Sequence, residues 1–533
     1  MLSKFRRGRQ TVLVVLAAAS VVCAIAASSA SAALERLPNG QVASYVPLRT
    51  AVSQASRGDA MFNNLDYNGG ALMPSNTDTI IVWAPKGSSP FPAGYVDGVK
   101  TYFKNLQHDN GGTQNVESVA TQYNDLTGAV ANYAVAYGGT IVDRDPYPAS
   151  QCPVIAPNTN CLVDAQIQAE LQTVATAHHL KRDLEHEVFL LTPPDVQGCF
   201  TNDPSTNYGF CTAGIGDINL AGYCAYHQET LSSPMLFYSN DPYQFDASYK
   251  GQPLCTDGNS PNGVADAAME TGLSHEHNES ITDPIPNDTW TNGTGPNHGQ
   301  ENGDQCAYNY GTPLGTVNGV PYNQVINGHK YWYQQEWSNA GHTCLQRLTL
   351  PSSLPDATFS ATAGSGTDMT FDASNSGPSI ADFSWQFNDS DPGCTTCNDT
   401  IETTAPTITH TFPEAGAYSV GLAAFQADGL SQGLGGIVTT GQSGFTPGFT
   451  FAPAQARRRE PVTFTALATV SRLPVSNVLW EFGDGSSGSG ETPTHSYKKR
   501  GTYRVKAVLY SGVGSAFPGD GAAPVVEETI TVS

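Results

Sequence analysis

From Gly272 to Pro284 the chain reads GLSHEHNESITDP, two histidines and three acidic residues in a sequence where only 14% of residues are charged. On a helix with about 100° per residue, His275, Glu276 and Glu279 share one face with Val264, Ala265, Ala268, Met269 and Gly272, and His277 points away. An imidazole and two carboxylates buried on such a face require a cation or a dense hydrogen-bond network, because unpaired buried charge is costly. In His-Glu-x-x-His helices the first and fifth positions ligate zinc, and the Glu after the first His acts as general base on the metal-bound water. Here Glu279 occupies the fifth position, and a carboxylate is an acceptable zinc ligand. The pattern therefore assigns Zn²⁺ to His275 and Glu279, with Glu276 as the catalytic base. A third ligand is expected from elsewhere: Glu301 in GQENGDQCAYNYG is the first choice, with Asp283, His298, Asp304 and His227 as rivals. Ca²⁺ in the acidic loops is a second cation to consider.

Those residues need a helix to hold them. GVADAAMETGLSHEHNESITDP predicts one over Val264–Thr282, stopped by Pro284 and by the restriction proline places on Asp283. Upstream, TDTIIVWAP and HEVFLLTPP read as buried strands, and GYVDGVKTYFKNL and AQIQAELQTVATAHHL as helices, so an α+β domain is expected. His186 and Glu187 sit in a strand pattern without a second ligand at helical spacing and read as structural. His178 and His179 read as a solvent-facing pair at a helix end.

The bulk composition places this domain outside the cell. Lys4, Arg6, Arg7 and Arg9 precede the apolar run TVLVVLAAASVVCAIAA, and ASA ends at Ala32, the layout of a signal peptide over residues 1–32; an uncleaved anchor is the alternative. Its removal leaves 21 basic against 48 acidic residues, a formal charge of −27. Such a surface repels nucleic acid and anionic lipid. Ten of the 11 cysteines lie beyond the signal, an even number that reads as disulfides in an exported chain. Cys152 with Cys161, Cys199 with Cys211, and Cys394 with Cys397 are neighbours in sequence; the pairing of Cys224, Cys255, Cys306 and Cys344 stays open. CTTC at 394–397 lacks the second CxxC that a zinc ribbon needs. Sequons stand at Asn278, Asn287, Asn292, Asn388 and Asn398. No Walker loop, dinucleotide fingerprint or Gly-x-Ser-x-Gly elbow is present, so nucleotide chemistry and serine hydrolysis lose support.

With 533 residues, several cores are expected. The composition changes near 351–356 to short alternating strands rich in Thr, Ser and Gly. The tail is an internal repeat: FSWQFNDSDPG followed by ITHTFPEAGAYSVGLAAF matches VLWEFGDGSSG followed by PTHSYKKRGTYRVKAVLY. Trp480, Phe482, Gly483, Asp484 and Gly485, then His495, Tyr497, Gly501, Tyr503 and Val505, resemble the WxFGDG…HxYxxxGxYxV hallmark of PKD domains, Ig-like β-sandwiches. In the first copy Asn388 and Asp389 replace the GDG turn. The expected division is 33–350 for the first domain, 356–440 for a divergent PKD-like copy and 447–533 for a second. The resemblance implies spacers or adhesive, polysaccharide-contacting units without chemistry of their own. Asp484 and His495 accordingly read as turn and packing residues.

Residues 60–345 carry a second resemblance. YNGGALMPSNTDTIIVWAP, TQYND, CLVDAQIQAEL, CAYH, SHEHNESITDP and ENGDQC are similar to a bacterial extracellular family with an HExxExxTDP…ExGDxC signature, distantly similar to the plant EXORDIUM or phosphate-induced proteins. That resemblance implies a zincin-like metalloprotease domain with His275, Glu276 and Glu279 in the motif positions. The sequence thus leads to a secreted, monomeric, zinc-dependent metallopeptidase-like hydrolase. Its partner would be an extracellular protein or polysaccharide, neither nucleic acid nor the bilayer interior. The alternative is a non-catalytic extracellular adhesion protein with a structural metal or none.

Overall fold

A computed structural model describes residues 34–37, 41–49, 64–67, 71–123, 130–152, 160–201, 210–231, 235–287, 289–292, 299–341, 343–348, 357–377, 380–387, 400–413, 416–426, 431–440, 448–453, 455–467, 477–484, 486–489, 492–510 and 522–533. The signal segment, His298, Asn388, Asn398, Cys394, Cys397 and the 351–356 boundary lie outside the described residues.

The first domain is organised by one mixed sheet. Its strands are β1 (Leu34–Arg36), β2 (Val42–Pro47), β4 (Asn76–Trp83), β5 (Val135–Asp143), β6 (Asn160–Val163), β7 (His186–Thr192), β8 (Val196–Cys199), β9 (Cys211–Thr212), β10 (Ala221–Glu229) and β11 (Phe237–Pro242), while β3 (Asp66–Tyr67) pairs separately with Trp290–Thr291. The order runs β5-β4-β7-β11-β10-β9-β8-β6, and β2 joins from the other side of β10. β5, β4, β7 and β11 are mutually parallel. The helices and strands expected from the sequence are present, but parallel neighbours need crossover connections, so this part has an α/β arrangement. Helix α1 (Tyr95–His108) links β4 to β5, and α2 (Asp164–Ala177) precedes β7.

Strands β4, β7 and β11 are buried on both faces, which explains the continuous apolar runs of β4 and β7, whereas the edge strand β5 is partly exposed. Ile80, Val82, Phe189 and Leu191 face Val99, Tyr102, Phe103 and Leu106 of α1. Their alternating neighbours Ile81, Trp83, Val188 and Leu190 face Ile167, Leu171 and Val174 of α2. His178 and His179 lie exposed just past α2.

Among the described residues four disulfides fasten the irregular parts: Cys152–Cys161 and Cys199–Cys211, as the sequence spacing suggests, together with Cys224–Cys255 and Cys306–Cys344.

In the tail each repeat forms a three-stranded and a four-stranded antiparallel sheet. Trp385 and Trp480 are the fully buried centres of the two cores. The stacking is repeated as well: Phe387 on His410 at 3.9 Å and Phe482 on His495 at 4.3 Å, then Phe412 on Tyr418 at 4.2 Å and Tyr497 on Tyr503 at 4.3 Å. His495 Nε2 lies 2.9 Å from Asp484 Oδ2, and Ser486 donates to Asp484 Oδ1. Both residues are therefore used in a turn and a stack.

Candidate metal centre

The expected helix is present but composite. A 3₁₀ turn (Gly263–Asp266) leads into a π-type turn (Met269–Leu273) and then helix α3 (Ser274–Thr282). The wide turn breaks the uniform 100° phase before the motif. It brings the backbone at Gly272 against β10, where a Cβ would lie 2.4 Å from the Ala225 methyl. α3 is buried on every side. A solvent face on which His277 could lie is therefore missing. His277 enters a second buried polar group instead: Nε2 is 3.3 Å from Asp78 Oδ2 and 2.6 Å from Asn76 Nδ2, and Nδ1 is 3.3 Å from Glu117 Oε2.

On the opposite side, α3, β10 and the turn after Gly299 converge. His275 Nε2 lies 2.9 Å from Glu279 Oε1 and 3.6 Å from Asp304 Oδ1. His227, from β10, places Nδ1 2.9 Å from Glu276 Oε2 and 3.7 Å from Glu279 Oε2, with Nε2 3.6 Å from Glu301 Oε2. The donor atoms thus form two triads, each within 4.8 Å internally: His275, Glu279 and Asp304, and His227, Glu279 and Glu301. Helical spacing groups His275 and Glu279, with Glu301 the expected third ligand; in the fold, Asp304 stands with His275, while Glu301 approaches Glu279 from the His227 side. Asp283 has another task. Its carboxylate accepts the backbone N–H groups of Asn287 and Thr289 at 2.7 Å each, which holds the turn at Pro284.

The turn carrying Glu301 and Asp304 seats closely because position 303 lacks a side chain. A Cβ there would lie 2.8 Å from Glu279 Oε1 and 3.1 Å from His275 Cγ. Asp304 N–H donates to Glu279 Oε1 at 2.9 Å, and Gln334 Nε2 donates to the Gly303 carbonyl at 3.0 Å. That leaves Gln334 Oε1 to accept from His275 Nδ1 at 3.1 Å. With a proton on Nδ1, the His275 ring turns Nε2 toward two carboxylates, the outer-sphere arrangement that orients a ligating histidine.

No side chain of the two triads, nor Glu276, is more than 5% exposed. Among the described residues no Lys or Arg pairs with them. Burial pushes Glu276 and Glu301 well above the usual carboxylate range, with Glu279 adding to both. Burial and then Asp304 raise Glu279. For His275, burial acts downward, yet Glu279 and Asp304 outweigh it and hold the ring well above the imidazole range. Burial instead holds the His227 ring below the imidazole range, against the pull of Glu279.

A cation fits these residues by a direct test. His275 Nε2, Asp304 Oδ1 and both Glu301 carboxylate oxygens are buried without a partner in hydrogen-bond geometry. Unsatisfied buried acceptors at such spacing are what a zinc shell, with bonds of about 2.0–2.2 Å, would occupy.

The comparisons with known proteins address the tail. PKD domains match residues 446–516 and residues 356–433, so the chain carries two of them in its C-terminal region. The PKD1 domain of the Vibrio cholerae metalloprotease PrtV is 23% identical, covering 16% of this chain and 93% of that one, with a TM-score of 0.13. Fibronectin(III)-like modules of Clostridium thermocellum CbhA are 20% identical, covering 33% of this chain and 93% of that one, with a TM-score of 0.14. No curated protein matches the chain. PKD domains and disulfides are typical of extracellular proteins, and among the described residues no helix is long and apolar enough to cross a membrane.

Proposed function

We propose that the chain is a secreted zinc-dependent metallopeptidase-like hydrolase whose first domain, zincin-like in its motif, holds the metal through His275, Glu279 and Asp304, with Glu301 adjoining. The observation that carries this reading is the buried convergence of His275 Nε2 and Asp304 Oδ1 on Glu279, with neither atom in hydrogen-bond geometry. Imidazole donors favour zinc over calcium, which prefers all-oxygen shells. When bound, zinc supplies Lewis-acid polarisation of a carbonyl and acidifies a coordinated water.

The chain's own residues do the rest. Gln334 fixes the His275 ring, and the Asp304 N–H steadies Glu279 Oε1. Glu276, next to His275 on α3, is the general base: Val46 N–H holds Oε1 at 3.2 Å, and Oε2 is the oxygen that takes and returns a proton beside His227. The two PKD modules serve for spacing or for attachment to a surface or polysaccharide.

Glu276→Gln in the mature chain is expected to retain zinc while hydrolysis of an unfolded protein substrate falls about 10²–10⁴-fold. Proteolysis that survives this change would dismiss the enzymatic reading. A second reading has its own support: burial to 5% exposure or less suits a closed cation centre in an adhesion protein. Zinc present with no hydrolysis by the unaltered chain would select it.

A further inference from the structure

The single centre proposed above leaves half of the cluster unused. We infer that the first domain holds a pair of divalent cations bridged by Glu279, the second ligated by His227, Glu279 and Glu301; this rests on the metal-centre reading and extends it.

Glu279 divides its oxygens between two sites. Oε1 lies 2.9 Å from His275 Nε2 and accepts the Asp304 N–H at 2.9 Å. Oε2 turns the other way, 3.4 Å from Ser44 Oγ and 3.7 Å from His227 Nδ1. A carboxylate with its two oxygens in separate donor sets is the bridging geometry of two-metal sites, whose ions stand about 3.5–4 Å apart.

His227 supplies an independent argument. Nδ1 faces Glu276 Oε2 at 2.9 Å, and Nε2 faces the Asp283 carbonyl at 3.1 Å and Glu301 Oε2 at 3.6 Å. With Glu276 and Glu301 ionised, every one of these atoms is an oxygen that accepts. A neutral ring has one N–H, so whichever tautomer it adopts, the other nitrogen turns a lone pair toward oxygen. A cation placed there removes the repulsion. Glu301 offers two buried oxygens without hydrogen bonds for the same purpose.

Charge is compatible with two ions. Glu276, Glu279, Glu301 and Asp304 are four carboxylates packed around two imidazoles, with no Lys or Arg ion pair among the described residues. Fully ionised, the four carry the charge of two divalent ions.

The test is to strip the full mature chain with chelator, dialyse it against ZnCl₂ and count metal by mass spectrometry. Two zinc ions per chain are expected, falling to one in His227→Gln and to one in His275→Gln. One ion in the unaltered chain, kept in His227→Gln and lost in His275→Gln, would overturn the pair while leaving the single centre standing. No zinc would remove both readings. A His227→Gln chain that binds as much zinc as the unaltered one would also overturn the pair, since the extra metal would then sit elsewhere on the acidic surface. The unaltered-chain count needs no variant to fold. With MnCl₂, coupling through Glu279 should weaken the six-line resonance of isolated Mn²⁺ at full loading but not at partial loading. Undiminished intensity at full loading of two ions would place them apart and sink the bridge.

Discussion

At Gly303 the backbone conformation is one that alanine adopts readily, with φ near −72°, so a methyl group there acts only through what it touches. It touches Glu279 Oε1 and the His275 ring. Gly303→Ala is therefore expected to leave the circular dichroism spectrum unchanged and to weaken zinc binding about 10–100-fold in competition with a chromophoric chelator, the scale typical of disturbed supporting contacts. Affinity equal to that of the unaltered chain would show that the turn does not seat the ligands. At this scale the sequence disclosed His275, Glu276 and Glu279, because helical spacing alone places them together. The choice between Glu301 and Asp304 was hidden, since both project from one tight turn three residues apart. His227 was harder still. It stands 48 residues before His275 in a strand buried along nearly its whole length, and only sheet topology brings β10 beneath α3.

Elements differ in how much of their form is local. The PKD sandwiches were legible because alternation, the Trp-x-Phe strand and the Asp-Gly turn recur in two copies, and period-2 patterning is a short-range signal. The π-type turn at Met269–Leu273 was not, since nothing in METGL marks it except the glycine that must approach β10. In the second sandwich, burial alone would raise the Asp484 carboxyl, but hydrogen bonds from His495 and Ser486 outweigh it and hold the group below the usual aspartate range. A folded-state pKa below the unfolded value means that the ionised form stabilises the turn at pH above about 4, and that this contribution fades as pH falls through the lowered value. Hydrogen exchange across residues 477–489 in the full chain should accelerate, relative to the intrinsic rate, on going from pH 6 to pH 3. Asp484→Ala should show the faster exchange already at pH 6, with about 1–2 kcal/mol lost from losing its hydrogen bonds.

The whole molecule combines a first domain built around a buried cluster of histidines and carboxylates with two β-sandwich cores centred on tryptophan. Cys306–Cys344 ties the ligand-bearing turn to the hairpin strand Thr343–Leu345, across a separation of 38 residues. A loop of that size contributes about 4 kcal/mol through the unfolded chain. Replacing both cysteines by alanine should lower the melting temperature of the first domain, and because Asp304 is two residues away, zinc should dissociate more readily. Unchanged melting and zinc retention would separate the bridge from the site. The two short-range bridges were visible from spacing, whereas Cys224–Cys255 and Cys306–Cys344 needed the fold to choose among partners.

Asn278 heads a sequon, yet its amide is enclosed in α3, donating to the Ser274 carbonyl at 2.8 Å and to Glu117 at 3.3 Å; Asn292, heading another, is equally enclosed. Oligosaccharide transferase works on chains that have not yet folded, so a eukaryotic secretory host could decorate both positions before the domain closes. A sugar tree rooted at either asparagine has nowhere to go, and material made that way should stay misassembled, whereas a bacterial periplasm, which oxidises cysteines without adding glycans, provides conditions in which this domain can close.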